Sequence, residues 1–274
     1  MKLAIISSEK QFETERIKEE AVKRKHVVSV FHPEALQAGI GLVKKKFDLV
    51  LFRTLQDFSL QGRALALSFF SSGTKIVDEK LASMNGRNKF TNYYCFFKAG
   101  LNIPKTFFLN RKTFFSLPFS DSDWIVLKEL EGKRGKGIYR IKFSEIHSFL
   151  PSVKENFFLV QEFIPFEKEL RVLVIGGKAV GAFEKQSSHW LKNIAQDSVA
   201  VEFKLNKMIS DIAVKAAESA QLEISGVDLA LHEKKWFVLE TNRSPQFKAF
   251  EECTGINAAQ KIVEFLEEKA KTRK

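Results

Sequence analysis

The sequence predicts an α/β fold through about residue 83 and an α+β fold beyond it. Two patterns carry that prediction. Apolar strands alternate with helices in the first part, as in a parallel sheet covered by helices. Hairpin-like strand pairs dominate the second part, as in antiparallel sheets. At 274 residues the chain can hold two domains, or one domain with subdomains, around a substantial core.

In chain order, "KLAIISS" reads as a strand and "EKQFETERIKEEAVKRK" as a polar-faced helix. "HVVSVFHP" and "FDLVLFRT" are strands, "LQGRALALSFFSSG" is a helix stopped at Gly73, and "TKIVDE" is a further strand. A boundary near Ser83 follows. "NGRNKFTNYYCFFKAG" is a helix closed by Gly100, leading through "LNIPKTFFL" into a strand. "DWIVLKELEG" and "IYRIKF" are strands flanking the loop "KRGKG", and a helix is expected over about 144–151. "FFLVQEFIP" and "LRVLVIGGKAVGAFEKQ" are strands, the latter turning at Gly176-Gly177. "KMISDIAVKAAESAQ" is an amphipathic helix with Ile209, Ile212, Ala213, Ala216 and Ala220 on one face. A hairpin, "GVDLALHEKKWFVLETNRSP", precedes a last helix from about Asn257 to Ala270.

Apolar residues at 45% and charged residues at 28% predict a soluble globule. No apolar run approaches the roughly 20 residues of a membrane span, and "MKLAIISSEKQ" reads as a first strand rather than a signal peptide. Two cysteines, Cys95 and Cys253, without CxxC spacing argue against a disulfide framework or a zinc site, and fit a cytoplasmic protein. The net charge of +11 is spread along the chain, so it reads as a solvated basic surface. It is compatible with phosphate ligands or acidic polypeptides. No aromatic–basic platform stands out in the sequence, so nucleic acid is disfavoured as a partner. The chain lacks GxGxxG after its first strand, a P-loop, GxSxG and HExxH.

Four stretches carry candidate chemistry. The hairpin places Asp228 in one apolar strand and Glu240 and Asn242 at the end of the next, positions that strands ordinarily exclude. Alternation puts Glu240 on a face with Val238 and Asn242, and Asp228 with Ala230. Asp228 opposes Glu240 only across a loop of odd length, and Glu233-Lys234-Lys235 is expected as that loop. Two carboxylates and an amide so placed suit a hard divalent cation such as Mg²⁺; a solvent-facing hairpin with surface acids is the plainer reading. In the second stretch, Gly132 to Gly137, consecutive N–H groups can cradle an anion, and Lys128 sits just before it in an apolar strand. An ordinary flexible turn explains the glycines equally well, but not the lysine, which needs an anion. The third, "VQEFIPFEKELRVLVIGG", offers backbone groups for a purine and Arg171 for a phosphate, although surface salt bridges would explain it too. The fourth, "KQSSHWLKN", holds Trp190, Lys192 and Asn193 in a candidate substrate loop, where His and Trp together more often mean packing.

In this order, the stretches resemble the ATP-grasp superfamily, specifically its RimK-like carboxylate–amine (amino acid) ligases. "GVDLAL…FVLETNRSPQFKAFEECTGIN" is the most specific part; "NKFTNYYCFFKAGLNIPKT", "VLKELEGKRGKGIYRI" and "VQEFIPFEKELRVLVIGGKAVGAF" complete it. The resemblance covers about residue 75 to the C-terminus and is weaker before that. It implies a Rossmann-like pre-ATP-grasp domain over 1–83 and an ATP-grasp domain over 84–274, with subdomains 84–160 and 161–274. It implies that Lys89 and Lys128 contact ATP phosphates under a closing loop that includes Gly132, Gly135, Lys136 and Gly137. Gln161, Glu162 and Ile164 would line the adenine pocket, partly through backbone, and Glu169 would hold the ribose. Arg171, with Lys128, would serve the transferred phosphoryl group. Asp228, Glu240 and Asn242 would hold Mg²⁺ or Mn²⁺, and Trp190, Lys192 and Asn193 would meet substrate.

The activity so implied is amide formation through an acyl phosphate, with release of ADP and phosphate. An amino acid such as glutamate would join a carboxylate on a peptide, protein or small molecule, and related ligases are often dimers or tetramers. The sequence departs from the family at "WLKNIAQDS", which lacks an arginine and a glycine pair, and at Gln246, where glycine is usual after Ser-Pro. Two alternatives stay open: a ligase acting on an amino-group carrier protein of lysine or arginine biosynthesis, and an inactive ATP-binding sensor or scaffold. Alanine at Glu240 or Asp228 is expected to abolish ATP turnover with the fold intact, as at a site open to solvent.

Overall fold

A computed structural model describes residues 1–40, 46–82, 88–111, 117–130, 137–153, 155–187, 190 and 198–272. Its strands form three sheets. The first is parallel, in the order β2-β1-β3-β4, from β1 (Lys2–Ile6), β2 (Val27–Phe31), β3 (Leu49–Phe52) and β4 (Lys75–Ile76). Its apolar runs lack polar alternation because both faces are covered. Leu3, Ile5, Leu49 and Leu51 face α1 (Phe12–Lys23) and α7 (Ala258–Lys271), packing with Ile17, Ala21, Ile262 and Leu266. Ala4, Ile6, Val50 and Phe52 face α2 (Ser59–Ser71), packing with Leu65, Ala66 and Phe69. Each large side chain fully buried this way contributes about 1.5–3 kcal/mol.

The second sheet is antiparallel, β5-β8-β6-β7: β5 (Thr106–Asn110), β6 (Trp124–Glu129), β7 (Ile138–Lys142) and β8 (Phe157–Glu162). Ile125, Leu127, Phe158 and Val160 pack on one face against Ile146 and Leu150. The helix expected at about 144–151 is a single α turn, α4 (Ile146–Phe149), between two 3-10 turns. Pro151 removes the N–H donor that a continuing helix would need.

The third sheet, β11-β10-β9-β12-β13, is also antiparallel, from β9 (Lys168–Ile175), β10 (Lys178–Gln186), β11 (Val199–Phe203), β12 (Ile224–His232) and β13 (Lys235–Asn242). Leu170, Val172, Val227, Leu229 and Val238 face α5 (Lys207–Ser219), meeting Ile209, Ala213 and Ala216, with Tyr93 and Phe96 of α3 (Lys89–Lys98) alongside. The opposite face changes character along its length. Leu173, Ile175 and Ile224 join the core shared with α1 and α7, together with Phe250 of α6 (Lys248–Thr254). Farther along the same strands, Glu169, Arg171 and Asp228 take those places. Helices α3, α5 and α7 each start at an asparagine whose side chain accepts a backbone N–H, a cap worth about 1 kcal/mol.

Two elements lack a counterpart in the sequence reading. β11 is a short, largely exposed edge strand, and α6 is two turns directly after "SPQF". Among the described residues, no helix is long and apolar enough to cross a membrane.

The candidate nucleotide and metal site

The β12–β13 hairpin reaches the predicted pairing by a route the sequence does not show. Its loop is two residues, Glu233 and Lys234, both at positive φ (45° and 64°), since His232 already pairs with Lys235. That is the geometry favoured by the right-handed twist of paired strands. The even loop alone would oppose Asp228 to Leu239. Instead the register shifts after the Leu229–Val238 pair, leaving Leu239 as a β-bulge, and Asp228 pairs with Glu240. The expected three-residue loop is therefore replaced by a two-residue turn plus a bulge. Val238 points into the core beside Leu229, so it does not share the face of Glu240.

Behind this pair lies a buried ionic cluster. Asp228 is 1% exposed and sits across from Arg171 of β9. Arg171 Nε and Nη2 donate to Oδ1 and Oδ2 at 2.6 Å each, a bidentate pair. Lys185 of β10 lies 3.0 Å from Asp228 Oδ2 and donates to Glu169 Oε1 at 2.6 Å. Burial would raise the Asp228 pKa, but Arg171 and Lys185 outweigh it and hold the carboxyl down at about 2. Burial would likewise depress the Arg171 guanidinium; Asp228, then Glu240 and Glu169, raise it instead. Gly226 leaves room here, because a Cβ would stand 3.0 Å from Pro245 Cβ and 3.3 Å from Arg171 Cδ.

Helix α3 and the second sheet each supply a further lysine, Lys89 and Lys128. Lys89 opens α3 and donates to the Glu129 carbonyl at 2.6 Å. Burial pushes its ammonium pKa down, Glu240 opposes that, and Lys128 reinforces it. A cation at a helix N-terminus also opposes the dipole, a cost that an anion would relieve. Lys128 donates to Tyr93 Oη at 3.1 Å, and Tyr93 donates to the carbonyl of the bulged Leu239 at 2.6 Å. Tyr93 thus ties the lysine strand to the bulge.

The other predicted residues fall as follows. Gln161 is buried and donates to Thr106 Oγ1, whereas the Glu162 side chain accepts from the Lys105 N–H and its backbone pairs with Ile125 of β6. Ile164 is buried and Gly137 adopts φ +73° directly before β7. Trp190 lies edge-on to Phe163, with Arg140 over both rings and over Trp124, and Lys142 also over Trp124. The members of this aromatic–basic cluster come from four separate segments, so it was not visible in the sequence. Gly132, Gly135, Lys136, Lys192 and Asn193 lie outside the described residues.

The donor chemistry fits a hard divalent cation. Asp228, Glu240 and Asn242 are oxygen-bearing side chains on neighbouring strands. Among the described residues, Glu240 forms no hydrogen bond or ion pair, and the buried Asn242 Nδ2 has no partner. No group of three His, Cys, Asp or Glu gathers among the described residues, so the amide and a ligand's own oxygens must complete such a site. Lys185 and Tyr93 were missed as site residues. Lys185 opens the "KQSSHWLKN" stretch at the end of β10, but beside Glu184 and Gln186 it looked like an ordinary strand-end charge.

A family model for the RimK-like ATP-grasp domain matches residues 87–266. The chain belongs to the RimK-like ATP-grasp family. A probable alpha-L-glutamate ligase of Legionella pneumophila (strain Corby) is 30% identical over 301 residues, covering 99% of this chain and 97% of that protein. One of Shewanella loihica is 30% identical over 300 residues, with the same coverage. Among solved structures, the ATP-grasp ligase PsnB complexed with a phosphomimetic variant of minimal precursor, Mg and ADP superimposes with a TM-score of 0.77 at 16% identity, covering 98% of both chains. The RimK domain protein ATP-grasp from Sphaerobacter thermophilus gives 0.75 at 16% identity, covering 97% of this chain and 99% of that one. The fold is thus that of ATP-grasp ligases, and the chain is a ligase of this RimK-like family.

Proposed function

We propose that this ligase joins an amino acid, glutamate first among candidates, to a carboxylate on a peptide, protein or small molecule. The observation that carries the reading is Tyr93, which accepts from Lys128 and donates to the carbonyl of Leu239 beside Glu240, joining the lysine strand to the hairpin of Asp228 and Glu240. The glutamate ligases among the relatives support the choice of amino acid. The basic surface of the chain, at +11 overall, suits an acidic acceptor.

A carboxylate is a poor electrophile, so the γ-phosphoryl group of ATP is transferred to it, giving an acyl phosphate and ADP. The amine then attacks the acyl carbon and phosphate leaves. In this reading Lys89 and Lys128 offset charge on the ATP phosphates, and Arg171 steadies the phosphoryl group in transfer. Gln161, the Glu162 backbone and Ile164 border the adenine, and Glu169 holds the ribose. Asp228, Glu240 and Asn242 would hold Mg²⁺ or Mn²⁺, which when bound neutralises phosphate oxygens. The loop at 132–137 and the segment with Trp190, Lys192 and Asn193 would close the site against water, protecting the acyl phosphate. The cleft would lie between the 84–160 and 161–274 units, and the enzyme would work in the cytoplasm.

The test is ADP release from Mg-ATP with each amino acid in turn, against acidic peptides and small carboxylates, with product mass measured. We expect glutamate to give the largest stimulation and a product heavier by one or more glutamyl residues. ADP release stimulated by another amino acid, with glutamate inert, would overturn the choice of glutamate.

A further inference from the structure

Lys185 is one of the most deeply buried charges in the chain, at 7% exposed, yet no sequence motif gave it a role. It stands at a crossing of two carboxylates, 2.6 Å from Glu169 Oε1 and 3.0 Å from Asp228 Oδ2. Arg171 occupies both oxygens of the same Asp228. Two cations and two carboxylates therefore cancel within one face of β10, β9 and β12. Buried charge persists only where it is paired this closely.

Resting on the function proposed above, Glu169, Arg171 and Asp228 all have a ligand to hold, and without it they satisfy one another through Lys185. We propose that Lys185 is a positioning residue that keeps Asp228 and Glu169 in place in the nucleotide-free site and yields Asp228 to the divalent cation when nucleotide binds. The charge argument is direct. Oδ2 of Asp228 faces both Arg171 Nη2 and Lys185, which together fill its two lone pairs, so a dication can take that oxygen only as Lys185 leaves it. A dication on Oδ2 would stand within a few ångströms of the Lys185 ammonium and repel it. Lys185 then leaves Oδ2, remaining on Glu169 or turning toward the anionic nucleotide. It sits on a strand paired on both sides, so its backbone stays fixed and the side chain alone moves.

Two substitutions pull this balance in opposite directions. In Lys185→Met, Asp228 loses one competing cation, so the metal binds it more readily. In Glu169→Gln, Lys185 loses an anionic partner and holds Asp228 more tightly. The readout is the ratio of ADP affinities with and without saturating Mg²⁺, measured by calorimetry on the full chain. The ratio isolates the metal from any change in ribose contact. We expect it to rise about tenfold in Lys185→Met, to fall in Glu169→Gln, and to return to the wild-type value in Lys185→Arg. If Lys185→Met does not fold, the Glu169→Gln and Lys185→Arg arms decide. Ratios equal to wild type in Lys185→Met, or in Glu169→Gln where that arm decides, would overturn the role of Lys185 alone. An ADP affinity in the wild type that ignores Mg²⁺ would overturn the site reading itself, and this role with it.

Discussion

Asp228 and Glu240 are paired across one hairpin, yet their substitutions should behave differently. Glu240 has no hydrogen bond or ion pair among the described residues, so Glu240→Ala should abolish ATP turnover and leave the melting temperature within a degree or two. Asp228 is buried between two cations, which overturns the expectation that its removal would spare the fold. Asp228→Ala strips the buried Arg171 of its bidentate carboxylate and should cost about 3–5 kcal/mol in denaturant titrations. The sign with pH follows from the lowered pKa. The folded carboxyl titrates at about 2 against 3.8 for an ordinary aspartate, so its stabilisation is complete above about pH 4 and is lost as pH falls through about 2. Lys128→Met should weaken ATP binding more than it lowers melting temperature, because among the described residues the ammonium is held by Tyr93 alone, through its hydroxyl and ring. The opposite pattern would make it a structural lysine.

At the scale of elements, the hairpin shows what a sequence does and does not disclose. Acids and an amide at strand positions marked the site, because such residues are costly in a strand without a purpose. The bulge was hidden, since parity counting allows several ways to bring Asp228 opposite Glu240, and only the packing of Val238 against α5 selects among them. Deleting Leu239 should leave Val238 on the core face and Glu240 opposite Asp228 in regular alternation, so Mg²⁺-dependent ADP binding should persist; calorimetry with and without Mg²⁺ would show it. Glu233 and Lys234 sit at positive φ, a conformation that costs an ordinary L-residue about 1 kcal/mol. Asn-Gly at these positions should raise stability by a similar amount, measured by denaturant titration. β11 and α6 escaped detection for a simpler reason: both are short, and β11 is exposed along most of its length, so neither shows a decisive period.

Across the whole molecule, the first sheet and the site-bearing sheet are locked by groups far apart in sequence. Arg53 donates to the Pro245 carbonyl, Arg243 donates to the Phe52 and Arg53 carbonyls, and Glu13 accepts from the Phe247 N–H. Asp78 and Glu223 exchange backbone-to-carboxylate hydrogen bonds at 2.7 Å each. Such pairings, like Tyr93 on Leu239 and Lys185 on Asp228, are invisible in a linear reading because each partner looks ordinary alone. Burial raises the Asp78 pKa to about 6 from 3.8, against the opposing charge of Arg243. The folded state thus takes up a proton that the unfolded state does not, and the wild type should gain on Asp78→Asn as pH falls from 7 toward 5. Thermal melts of both proteins across that range would show the gap shift in favour of the wild type, or contradict the assignment by staying constant. The central claim is that this cleft carries acyl-phosphate chemistry through the Glu240 face. Its most direct test is to incubate wild type and Glu240→Ala with Mg-ATP, acidic peptides and hydroxylamine, and to assay nucleotide and hydroxamate together. The account predicts ADP and hydroxamate in equal amounts from the wild type and neither from the variant. AMP with pyrophosphate, or undiminished ADP and hydroxamate from Glu240→Ala, would contradict it.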